Sequence, residues 1–153
     1  MSPRDLLDHG LVGSLYDCAD SPEGLRPFLK ELSGIFGAHQ AHVMVLEANG
    51  QVLQTHAHGH DDASFGDYES HWLSQDPRFL AASGSPGCVL SDAQVIDPKL
   101  FESSAIYNDF LSRFNVRYTL FVNFQIAPNL LGGQSFMRPK SAGAFEPAHA
   151  QQL

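Results

Sequence analysis

The amino-acid sequence predicts an α+β domain, a central antiparallel sheet flanked by helices. Three observations lead there. Before Gly37 the apolar residues recur at helical spacing. From His42 to Glu47 the pattern becomes β-branched and apolar, and Asn49-Gly50, the strongest short hairpin signal, follows it. Val116 to Ile126 (VRYTLFVNFQI) then supplies a second run rich in β-branched and aromatic residues.

Each element has its own signal. Leu6, Leu7, Leu11, Leu15 and Cys18 place a first helix over 4–18, despite Gly10 and Gly13. Ser21-Pro22-Glu23 reads as a cap with proline at the first helical position. The second helix shows one face of Leu25, Phe28, Leu29, Leu32, Ile35 and Phe36, and Gly37 is placed to stop it. Two strands, His42 to Glu47 and Gln51 to His58, form the first hairpin.

Residues 63–83 read as helical, with Phe65, Tyr68, Trp72 and Phe79 as the large apolar members. Proline disfavours helix in the residue before it, so the chain breaks at Asp76-Pro77 and restarts. Ser83 to Gly87 is a turn and Cys88-Val89-Leu90 a short strand. Asp97-Pro98 starts another helical stretch through Phe101, Ile106, Tyr107, Phe110 and Leu111, ending near Asn115. After the strand Val116 to Ile126, Pro128-Asn129 to Gly132-Gly133 reads as a turn. Gln134 to Arg138 returns as a strand, and Phe145-Glu146-Pro147 opens a final helix. Two hairpins separated by helices make the arrangement of PAS and GAF domains. No repeat or linker divides it.

Composition narrows the function. With 153 residues, 43% hydrophobic and 17% charged, the chain is one globular domain. No apolar run reaches the ~18–20 residues that cross a bilayer, and no signal-like core follows Met1, so a cytoplasmic protein without membrane contact is expected. The net charge is −8 and the nine basic residues are scattered. Nucleic-acid binding needs a basic surface, and this chain offers none. Cys18 and Cys88 form no CxxC and read as two buried thiols.

The residues with chemical interest fall in three groups. Tyr68, Trp72 and Asp76 stand at helical spacing, with Phe79 and Tyr107 as further aromatic wall, and suit a small-molecule pocket: apolar contact for affinity, one carboxylate for orientation. The competing reading makes Tyr68 and Trp72 core and Asp76 the cap of the next helix. His56, His58 and His60 are weak metal candidates, because residues two apart on a strand share a face. The alternative is a polar edge strand ending at Gly59. Gly84-Ser85-Pro86-Gly87 is a turn rather than a nucleophile elbow, and no phosphate or dinucleotide fingerprint occurs. No catalytic residue and no cofactor is expected. Arg138 is read as holding a carboxylate, Asp109 or Asp92.

Several of these marks resemble the N-terminal sensor domains of LuxR-type helix-turn-helix regulators. They are the aromatic helix ending in Asp76-Pro77, with Tyr68 and Trp72; Val89-Leu90-Ser91-Asp92; Tyr107 to Leu111; and Arg138-Pro139 followed by Gly143-Ala144-Phe145. The resemblance runs from about Leu11 to the C-terminus. It implies a non-enzymatic sensor domain over residues 1–153, truncated before a C-terminal domain through which alone DNA would be bound. A small apolar or amphipathic ligand and a homodimer go with it; a ligand-free dimerisation module is the alternative, with a His-rich metal protein or hydrolase behind it. The autoinducer-binding branch has Trp before Tyr, a longer gap to Asp-Pro, and a later Trp. Here Tyr68 precedes Trp72, the single Trp, a departure that favours a different small ligand, or none, over an acyl-homoserine lactone.

Overall fold

The computed structural model describes residues 22–150. The helix expected over 4–18, Cys18 and the capping Ser21 lie outside them.

Helix α1 (Leu25–Ile35) buries Leu29 and Ser33, and the Ser33 hydroxyl donates to the Leu29 carbonyl at 2.7 Å. It stops at Gly37, whose φ of +59° suits glycine. Strands β1 (Gln40–Glu47) and β2 (Val52–His58) form the expected hairpin. Gly50 turns it with φ +92°, donating to the Glu47 carbonyl, while Asn49 Oδ1 accepts from the Gln51 amide.

The next stretch is helical but irregular. Helix α2 (Asp62–Asp67) runs into a π turn, Tyr68–Trp72, then a 3-10 turn, Leu73–Gln75. The chain breaks at Asp76 as expected, and α3 (Pro77–Ser83) starts there with Asp76 accepting from the Arg78 amide. Strand β3 (Leu90–Ser91) is short, and α4 (Asp92–Val95) and α5 (Pro98–Glu102) follow. A second π turn, Ile106–Phe110, and a 3-10 turn, Leu111–Phe114, end at Asn115 in the left-handed region. Strands β4 (Tyr118–Ala127) and β5 (Leu130–Arg138) form the second hairpin, and α6 (Pro147–Ala150) closes the described chain.

The five strands pair antiparallel in the order β2-β1-β5-β4-β3. Alternation divides their side chains between two faces. On one face Ala41, Leu120 and Phe136 pack with Leu29 of α1, with Phe36 just after it and with Phe145. On the other, Met44, Leu46 and Met137 meet Leu73, Phe110 and Leu111 from the helices between the hairpins. Among the described residues no helix is long and apolar enough to cross a membrane.

Three expectations are corrected. Gly132 and Gly133 are not a turn but lie inside β5, paired to Val45 and Met44 on one side and to Phe124 and Asn123 on the other. The turn itself is confined to Pro128-Asn129, and ladders on both sides override the turn preference of paired glycines. Cys88 is exposed, because β3 begins only at Leu90 and the thiol stays in the preceding turn. Among the described residues Arg138 holds no carboxylate. Its guanidinium donates to the carbonyls of Phe36, Gly37 and Ala144 and lies 4.0 Å from the Phe145 ring centroid. Asp92 instead faces Arg117, 3.8 Å away, and Asp109 is exposed.

Candidate functional site

The inner face of β1, β4 and β5 does not pack solid against the helices. A cavity remains, about 80 Å³ open to the centre of a water molecule. That is about half the ~150 Å³ hollow that holds benzene in an engineered core, and the space is open on one side. Its floor is Met44, Asn123, Gly133, Ser135 and Met137 from the sheet; its roof is Phe65, Tyr68, Phe79, Phe110 and Leu111. Gly133 keeps the floor open: a Cβ there would meet Asn123 Oδ1 at 3.1 Å and Met44 Cε at 3.9 Å.

Of the five residues singled out from sequence, Tyr68, Asp76 and Phe79 line this cavity. Trp72 and Tyr107 do not. Trp72 is half-buried behind Phe110, its ring centroid 5.8 Å from that ring, and Phe110 separates it from the space. Tyr107 packs on Phe101, 5.6 Å between centroids, with the Arg117 guanidinium over its face. Trp72 closes the π turn that begins at Tyr68, so the two do not stand at regular helical spacing.

Asp76 and Arg78 form a buried pair in the cavity wall, 1% and 6% exposed. Arg78 Nε donates to both carboxylate oxygens, at 2.9 and 3.2 Å, and Nη2 donates to Oδ2 at 2.7 Å. The Tyr68 hydroxyl donates to the same Oδ2 at 2.7 Å, and Arg78 Nη1 reaches Thr119 Oγ1 at 2.8 Å. Burial pushes the Asp76 carboxyl up, but Arg78 overrides it and holds Asp76 below the usual carboxylate range. Burial, and then Asp76, lift the Tyr68 phenol well above its ordinary value. Arg78 was invisible in the sequence except as the residue two beyond an N-cap.

Two histidines face the same space. His42, on β1, shares a 2.6 Å hydrogen bond with Thr55 Oγ1 and lies 4.6 Å from the Phe65 ring centroid. Burial, then the neighbouring His60 and Arg78, lower it to about 3. His60 stands edge-on to Phe65, 4.8 Å between centroids, and burial with His39 nearby lowers it to about 4. Both rings are neutral at pH 7. Gly59 places His60: its φ is +80°, and a Cβ there would sit 2.4 Å from the His39 carbonyl.

The same turn separates the histidines proposed as metal ligands. His56 and His58 pair with Val43 and Ala41, on the α1 face, whereas His60 opens onto the opposite face. Among the described residues no three His, Cys, Asp or Glu side chains are grouped to hold a metal.

No family model matches the sequence, and no curated protein does. Solved structures do. The VqsR LBD domain from Pseudomonas aeruginosa superposes with a TM-score of 0.67 at 16% identity, over 85% of this chain and 79% of that one. CepR2 from Burkholderia cenocepacia, an N-acylhomoserine lactone dependent LuxR family transcription factor, gives 0.63 at 15%, over 94% and 86%. Escherichia coli SdiA gives 0.59 at 14%, over 77% of this chain and 49% of that chain. The fold is that of LuxR-type ligand-binding domains.

Proposed function

We propose that this chain is the ligand-sensing domain of a LuxR-type transcriptional regulator. It takes a small apolar or amphipathic molecule between sheet and helices and passes its occupancy to a helix-turn-helix domain. The observation that carries the reading is the cavity at the Tyr68–Asp76–Arg78 cluster, aromatic-walled and bordered by a few buried polar groups, in a fold whose solved neighbours include a lactone-dependent regulator. A ligand acts by binding one state of the domain more tightly than another. Phe110 is placed to couple the two: it stacks on Tyr68 inside the cavity and on Trp72 behind it, with centroids 6.0 and 5.8 Å apart.

Trp72 is the single tryptophan, so its fluorescence reports on Phe110. Titration with benzene and a panel of small apolar metabolites is expected to give a saturable change in Trp72 emission and a rise in melting temperature. No change with any compound would sink the proposal. A helix-turn-helix encoded in the same gene would support the regulatory half of it.

A further inference from the structure

The cavity wall holds enough detail to name a ligand class, and this step rests on the sensor reading above. The charged side chains that line it are Asp76 and Arg78, and they neutralise each other. Asp76 has no acceptor to spare. Its oxygens take five hydrogen bonds, four from Arg78 and one from Tyr68, against about four lone-pair sites on a carboxylate. A ligand amide would have to displace one of these donors from a buried ion pair. An ionised ligand would enter without a counter-charge, and burying an unpaired ion is strongly unfavourable.

One polar atom in this wall does lack a partner. His60 Nε2 is buried and makes no hydrogen bond. Its ring lines the cavity beside Phe65. A buried polar group left unpaired costs stability, and a ligand that pairs it recovers that loss. Nε2 of a neutral imidazole is a donor in one tautomer and an acceptor in the other. A hydroxyl can answer both.

We propose that the cavity takes an uncharged alcohol with a short apolar body, its hydroxyl paired to His60 Nε2, and that Asp76 does not contact it. The apolar body lies against Phe65, Phe79, Phe110 and Met137. Selection against ions follows from the wall, since His42 and His60 are neutral at pH 7 and the Asp76–Arg78 pair carries no net charge.

The test uses the full chain at pH 7.5, read by Trp72 fluorescence and melting temperature, with four probes: hexanol, hexanoate, hexylammonium and benzene. Hexanol is expected to bind at least about tenfold more tightly than either ion, the cost of burying an unpaired charge. In the His60→Phe variant hexanol should weaken by roughly two- to tenfold, the value of one hydrogen bond. Benzene, which has no hydroxyl, should bind the variant and the parent alike, which also shows that the variant folds. Hexanoate or hexylammonium binding as well as hexanol would overturn the proposal while leaving the sensor reading intact. So would hexanol binding equally to parent and variant, or a His60→Phe chain that binds no benzene when His60→Gln binds both probes like the parent. Silence from all four probes with the parent would overturn both.

Discussion

The Tyr68 hydroxyl donates to Asp76 Oδ2 at 2.7 Å, across eight residues that include a π turn and a 3-10 turn. The bond closes this irregular stretch on itself and delivers the phenol ring to the cavity. It also completes a buried cluster in which every acceptor of Asp76 is engaged.

That cluster predicts a strong asymmetry between breaking the pair and replacing it. Asp76→Asn leaves Arg78 charged and buried, a situation that costs about 3–5 kcal/mol. For a chain of this size the melting temperature should fall by roughly 6–20 °C. The double variant Asp76→Leu with Arg78→Met should be more stable than either single variant. Thermal unfolding of the parent, Asp76→Leu, Arg78→Met and the double variant checks this, and additive losses would contradict it.

Stability should fall in mild acid. His42 and His60 have folded values of about 3 and 4, below the ordinary 6.5. The unfolded chain therefore binds more protons than the folded one from pH 6.5 down to about 4, and stability drops as the pH falls through that window. Asp92 works the other way: burial raises it to about 6 from 3.8, so the folded state holds its proton there. Two histidines outweigh one aspartate between pH 4 and 6.5. Unfolding at a series of pH values should show the loss, and the His42→Phe, His60→Phe double variant should flatten or invert it.

Gly132 should resist substitution because of one ring. A Cβ there would sit 2.4 Å from the Phe124 ring, which covers the glycine. Gly132→Ala is expected to cost about 1–3 kcal/mol, and removing the ring with Phe124→Ala in the same chain should return part of it. Phe124 is 40% exposed, so the ring has room to swing outward, which sets the value toward the lower end. Denaturant titration of the two single variants and the double variant decides.

Its neighbour Gly133 sets the room on the cavity floor. Gly133→Val puts methyl groups against Asn123 and Met44 on the cavity floor. Benzene should no longer shift Trp72 emission, while the protein stays folded with a loss of about 1–3 kcal/mol. An unchanged benzene response would place ligand entry elsewhere.

Cys88 is exposed and free, so an alkylating reagent should label it in the native protein as readily as in denaturant. Protection in the folded state would restore the buried reading.

Local chemistry was sufficient for much of this architecture. The Asn49-Gly50 hairpin, the break at Asp76-Pro77, the stop at Gly37 and the strand beginning near Val116 all depend on φ/ψ preferences or side-chain periodicity within a few residues. Those act before any tertiary contact forms. Tyr68, Asp76 and Phe79 could be placed together for the same reason, since they lie close in sequence on either side of that break. What lay beyond reach depended on partners far along the chain. Gly132-Gly133 reads as a turn until two flanking strands pair with it, and Arg138 reaches backbone carbonyls about a hundred residues away. Trp72 stays outside the pocket because Phe110, from a segment far along the chain, stacks over it. His42 and His60 enter because the faces of β1 and β2, and the left-handed Gly59, aim them inward. A sequence states which side chains can hydrogen-bond or stack; only the assembled sheet, with helices laid over its inner face, decides which of them are left facing an empty space.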